Sequence, residues 1–170
     1  MRDRSVLLKL TLLLLLPCLS LSVLAGCRSH QNRAAKQQPP LPFLLFQKTP
    51  CLGTCPSYEA AIATNGAVRF VGWEHVAVID TVQFQLAPKE MEALRKEVEQ
   101  LQYAELKTVY LTQWSDMPST ITTFYRDGKQ EKRVKHQEGG PERLVRFQQH
   151  LHERLMKLVE EEANRLLPKE

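Results

Sequence analysis

The sequence predicts one α+β domain: an antiparallel sheet in the order ββββ-α-ββ-α with two helices on one face. Three observations carry this. The dipeptides Asn65-Gly66 and Asp127-Gly128 each separate two strand-like runs. Two segments, one after Pro88 and one after Gly139-Gly140-Pro141, set apolar residues at helical spacing. The length of 170 residues suits a single core.

Taken in order, Phe43 to Gln47 is a short apolar run that reads as a buried strand. Ser57 to Thr64 alternates, with Tyr58, Ala60 and Ile62 on one face. Asn65-Gly66 then predicts a type I′ hairpin into Ala67 to Val71, because that turn needs two residues at positive φ. Val76, Val78, Asp80, Val82, Phe84 and Leu86 alternate as a further strand, broken near Asp80. Pro88 stands at a first helical position, and Met91, Leu94, Val98 and Leu101 give that helix its apolar stripe. Residues 103–118 read as irregular. Ser119 to Tyr125 and Lys129 to His136 form a second hairpin around Asp127-Gly128. The last helix presents Leu144, Phe147, Leu151, Leu155 and Leu158.

The N-terminus reads as a targeting segment. Arg2, Arg4 and Lys9 precede an uncharged run from Leu10 to Val23. That run is shorter than the roughly 20 apolar residues of a spanning helix and fits a secretory signal. It ends in Leu24-Ala25-Gly26-Cys27, which resembles the lipobox of bacterial lipoproteins. The resemblance implies cleavage after Gly26 and a diacylglycerol on the Cys27 thiol. Acyl chains contribute about 0.8 kcal/mol per buried methylene, enough for stable anchoring when two or three are present. Arg28 stands where an aspartate would hold a Gram-negative lipoprotein at the inner membrane. Outer-membrane attachment facing the periplasm is therefore expected in such an organism. Residues 1–26 are thus expected to be the signal, 27–41 a lipidated cysteine and flexible tether, and 42–170 the folded domain.

This division changes the meaning of the charge. The chain has 23 basic and 19 acidic residues. Three basic residues and Asp3 fall in the signal, and three more basic residues fall in the tether. Residues 42–170 therefore keep 17 basic and 18 acidic residues. No basic surplus remains for nucleic acid. The expected partners are the membrane, through the lipid, and an envelope protein or small ligand.

Cys51-Leu52-Gly53-Thr54-Cys55-Pro56-Ser57-Tyr58 is the most distinctive segment. Two cysteines four apart, with a glycine between them, can close a small disulfide in an oxidising compartment. The alternative is metal or thiol chemistry. The C-x-x-x-C-P spacing is similar to the copper-binding segment of thioredoxin-like copper chaperones, and His136 would supply an imidazole beside the Cys51 and Cys55 thiolates. A thioredoxin-like site would start a helix at the second cysteine, whereas a hairpin is predicted there. A redox-active pair would use C-x-x-C at a helix N-terminus, which is also missing.

Cys51-x-Gly53-x-Cys55-Pro56-x-Tyr58, followed by Asn65-Gly66 and Val68-x-Phe70-x-Gly72, resembles an uncharacterised domain found in bacterial envelope lipoproteins. Ser115-Asp116-Met117-Pro118 and Gly140-Pro141-x-x-Leu144 extend the resemblance. It implies an exported α+β domain and supplies no catalytic residue.

No catalytic constellation is legible. Each of the seven glycines has a mundane use, in the lipobox, the cysteine loop, a turn, after a strand or before a helix, which leaves none for a phosphate loop. There is no G-x-S-x-G and no H-E-x-x-H. His150 and His152 lie two apart on a helix, cannot share a metal, and are expected to face solvent. No cofactor is expected. The aromatic-bearing 103–118 loop and the cysteine loop are the expected binding surface, with Tyr58, Tyr110, Trp114 and Asp116 as candidate residues. A packing role competes for Tyr110 and Trp114, which could cover the sheet edge. The function expected is a non-catalytic binding or interaction module at the membrane surface.

Overall fold

The computed structural model describes residues 39–114 and 116–166. The expected signal, the expected lipidation site Cys27, nearly all of the expected tether and Ser115 lie outside the described residues.

Seven strands form one sheet: β1 (Pro42–Lys48), β2 (Ser57–Ala63), β3 (Ala67–Glu74), β4 (Asp80–Gln85), β5 (Val109–Tyr110), β6 (Thr120–Arg126) and β7 (Lys129–His136). Their spatial order is β4-β3-β2-β1-β6-β7-β5. Every pairing is antiparallel except β5 with β7. Helix α1 (Pro88–Leu101) follows β4, and α2 (Glu142–Leu166) follows β7. Both helices join one core with the same sheet face, as the α+β reading expected.

The core follows from period two in the strands and 3.6 in the helices. Leu44 and Phe46 of β1, Tyr58, Ala60 and Ile62 of β2, and Val68 and Phe70 of β3 are all buried on the helix side. Met91, Leu94, Val98 and Leu101 of α1 meet them. In α2 the stripe is Leu144, Phe147, Leu151, Leu155 and Val159. Leu158, expected to close it, is only half-buried; the step from 155 to 159 keeps the i,i+4 row and turns residue 158 aside. Pro88 opens α1, and the Glu90 carboxylate accepts the Ala87 N–H at 2.8 Å.

Three local expectations are corrected. Asn65-Gly66 does not form a two-residue type I′ turn. Only Gly66 has positive φ (84°), Gly66 N–H donates to Ala63 O, and the loop is the three residues Thr64–Gly66, a type I turn closed by a glycine bulge. Asp127 and Gly128 do both have positive φ, at 51° and 77°, as a type I′ hairpin needs.

Val76 and Val78 are not strand residues. His75 (φ 54°) and Asp80 (φ 78°) turn the chain at each end of a loop, which folds back over Gly72. A Cβ on Gly72 would lie 2.0 Å from the Val78 carbonyl oxygen. Glycine is what lets this loop lie flat against β3. Asp80 itself is exposed at the start of β4.

The 103–118 segment is not wholly irregular. Tyr103–Glu105 makes one 3-10 turn, and β5 adds a short parallel edge. Two residues with no alternation carry no strand signal, so this pairing is set by the neighbouring strand. Lys135 N–H donates to Thr108 O, and Gln137 N–H donates to Tyr110 O.

Candidate functional site

One end of the sheet collects the features that sequence reasoning singled out. The C-termini of β1, β3, β5 and β7 and the N-termini of β2, β4 and β6 all lie there. The cysteine loop, the β3–β4 loop, residues 111–119 and the start of α2 therefore share this end. The hairpin turns at Gly66 and Gly128 lie at the other end, where Leu41 leads into β1 and its carbonyl accepts the Thr64 N–H. Seven residues of β1 separate the two ends, roughly 20 Å.

Cys51 and Cys55 are joined as a disulfide with Cα atoms 5.8 Å apart. The small ring stiffens the crossing from β1 to β2 and pushes Leu52 outward, 94% exposed. Thr49 and Ser119 tie this loop to the next: Thr49 N–H donates to Ser119 O at 3.0 Å, and Ser119 N–H donates to Thr49 Oγ1 at 2.7 Å. Gln137 holds the 111–119 loop from inside. Its Nε2 donates to Met117 O (3.0 Å) and Ser119 Oγ (3.2 Å), while its Oε1 accepts from Thr112 N–H.

The candidate residues divide. Trp114 is 66% exposed and Asp116 is exposed in the turn before Pro118. Tyr110 is half-buried: its ring packs against Gly140 and edge-on to His136 at 6.1 Å, and its hydroxyl accepts the Lys107 N–H. It covers the β5–β7 edge. Tyr58, expected at the surface, is fully buried. Its place on β2, in phase with Ala60 and Ile62, turns it inward, where it stacks on Phe70 at 4.9 Å.

Tyr58 reaches a residue that was expected to face solvent. Its hydroxyl shares a 2.8 Å hydrogen bond with His152 Nδ1, and the two rings stack at 5.8 Å. His150 is exposed, but His152 is half-buried. Burial pushes the Tyr58 phenol far above its usual range. Burial and the nearby Lys48 charge hold His152 below the ordinary histidine value, with Glu153 opposing.

The strand register explains the surroundings. Tyr58, Lys48, Thr120 and His136 are paired neighbours across β2, β1, β6 and β7, and they share the helix-facing side. Sequence reasoning missed Lys48, although alternation from Leu44 and Phe46 points it inward. Above this row lies α2. Its buried Gln148 pairs through Oε1 with His136 Nδ1 at 2.8 Å and donates from Nε2 to Thr122 Oγ1. His136 Nε2 lies 2.7 Å from the Gly139 carbonyl oxygen. Lys48, Thr120, His136, Gln137, Val145, Gln148, Gln149 and His152 line an open cavity of about 220 Å³.

The thiol-metal alternative gains no support from this geometry. The two sulfurs are bonded to each other, and both His136 nitrogens are engaged. Among the described residues no three His, Cys, Asp or Glu side chains are grouped as metal ligands.

Fold and site together define a small disulfide-bearing α+β domain whose loops converge on one end of an antiparallel sheet. The chain belongs to the family described as Domain of unknown function (DUF6438), whose model matches residues 42–155. That span includes the cysteine loop, the sheet and the first half of α2. No curated protein and no solved structure matches the chain.

Proposed function

We propose that this chain is a bacterial envelope lipoprotein anchored through Cys27, whose domain is a non-catalytic module that binds another envelope protein through the loop end of its sheet. One observation carries the binding reading. Six of the ten large apolar side chains left exposed among the described residues lie at that end: Leu52, Trp73, Ile79, Leu111, Trp114 and Met117. Exposed apolar groups clustered on loops mark contact surfaces, whereas single scattered ones are ordinary. The cysteine loop and the 111–119 loop, which bear four of the six, are braced by the disulfide and by Gln137, so little ordering of them is left to be done on binding.

The anchoring reading rests on the Arg2-Arg4-Lys9 start, the uncharged run and the Leu24-Ala25-Gly26-Cys27 box. Among the described residues no helix is long and apolar enough to cross a membrane. Leu41, where the chain joins β1, lies at the sheet end opposite the apolar loops. In a Gram-negative cell Arg28 favours the outer membrane, with the domain in the periplasm.

Both readings are tested in cells. Cys27→Ala should abolish incorporation of labelled fatty acid and release the protein from membranes; unchanged membrane fractionation would refute the anchor. A photo-crosslinking residue at position 114 or 52 should give discrete adducts that the same residue at position 83, on exposed β4, does not. Equal yields at all three positions would refute the contact surface.

A further inference from the structure

We propose that the cavity under the first half of α2, lined by Lys48, Thr120, His136, Gln149 and His152, binds a small anion through carboxylate or phosphate oxygens. The argument rests on which charges the fold leaves without partners. Arg143, partly buried, reaches Glu105 and the Leu101 carbonyl, and Arg154, also partly buried, pairs with Glu97 at 2.5 Å. Lys48 is partly buried too, yet it takes part in none of the ion pairs among the described residues. A cation withdrawn from water without a counter-ion is costly, and an anion delivered to it offsets that cost.

The rest of the lining agrees. No carboxylate lines the cavity. Glu153, the acid acting on His152, is turned to the Gln149 amide, which donates to it at 3.0 Å. Thr120 contributes a hydroxyl from the same register row as Lys48. His152 gives Nδ1 to Tyr58 and keeps Nε2 as its other polar atom. His136, held at both nitrogens, acts as a fixed wall beside Gln148. A volume of about 220 Å³ is below the range typical of drug-sized ligands and suits a phosphate or a short carboxylic acid with a few waters. The cavity lies at the same sheet end as the apolar loops and shares Gln137 with their bracing, but none of the exposed apolar residues lines it, and either reading can fail without the other.

The test uses the full chain in non-ionic detergent at constant ionic strength, with chloride replaced stepwise by inorganic phosphate or by acetate. Unfolding is followed by tryptophan fluorescence. A saturable rise in Tm is expected, and which of the two probes produces it identifies the oxygen chemistry. Lys48→Met should weaken the apparent affinity at least tenfold, while Lys48→Arg retains it. Trp114→Ser, in the loop surface, should titrate like the parent chain. If Lys48→Met does not fold by circular dichroism, Thr120→Val takes its place, with a several-fold loss expected. The proposal is overturned if neither anion gives a saturable response beyond that of chloride, or if the Lys48 or Thr120 variant titrates like the parent.

Discussion

Replacing Tyr58 with phenylalanine isolates one buried interaction. The ring keeps its stacking on Phe70 and its volume in the core, so no cavity opens. Only the 2.8 Å bond to His152 Nδ1 is lost. A hydrogen bond of this kind contributes about 0.5–1.5 kcal/mol net. His152 is half-buried and can turn to water, which places the cost near 1 kcal/mol. For a domain of this size that lowers Tm by ~4 °C. The assay is thermal unfolding by circular dichroism at several pH values. The parent chain should also show an acid slope. Above pH 6.5 His152 is neutral in both folded and unfolded chains, and its contribution to stability is fully present. As pH falls, the unfolded chain takes up a proton that the folded one resists. Stability is then lost as pH falls from 6.5 through the lower folded value. Because burial and Lys48 cause that lowering, Tyr58→Phe should keep the slope and His152→Asn should diminish it. A Tyr58→Phe chain with unchanged Tm, or a His152→Asn chain with the parent's full slope, would refute the reasoning.

Other expectations follow from single contacts. Gly72→Ala drives a Cβ into the Val78 carbonyl, so it should cost about 2 kcal/mol or more and open the 75–79 loop to limited proteolysis. Replacing Cys51 and Cys55 together by serine opens a ring of five residues, for which the chain-entropy model gives about 2 kcal/mol or less; denaturant titration should show a modest loss with an unchanged sheet signal. Gln137→Ala removes three hydrogen bonds that hold residues 111–119, so amide exchange in that loop should quicken while the global midpoint moves by less than the equivalent of ~1 kcal/mol.

Local pattern was enough for much of the fold. Alternation in 44–46, 58–62 and 68–70 and the helical stripes at 91–101 and 144–155 assign strands, helices and the buried face. Cys51 and Cys55 declared their pairing by spacing and by the expected oxidising compartment. Asp127-Gly128 named its own turn. Asn65-Gly66 misled because the dipeptide also serves a three-residue loop, and the choice depends on the strand register around it. Val76 and Val78 misled because an apolar segment packed across a sheet face repeats like a strand, and only Gly72 beneath it reveals the difference. Tyr58 was read as a surface residue through its place in the cysteine motif, although its own alternation with Ala60 and Ile62 already pointed inward.

The candidate sites divide in the same way. By itself the sequence determined an α+β chain with a braced cysteine loop, because those properties rest on residues within a few positions of one another. The tertiary structure alone decided that Lys48, Thr120, His136 and His152 share one cavity. These residues come from three strands and a helix, up to 104 positions apart in the chain. Their meeting depends on strand order β2-β1-β6-β7 and on how α2 lies across it. Periodicity can say which way Lys48 points, but it cannot say what waits on the other side.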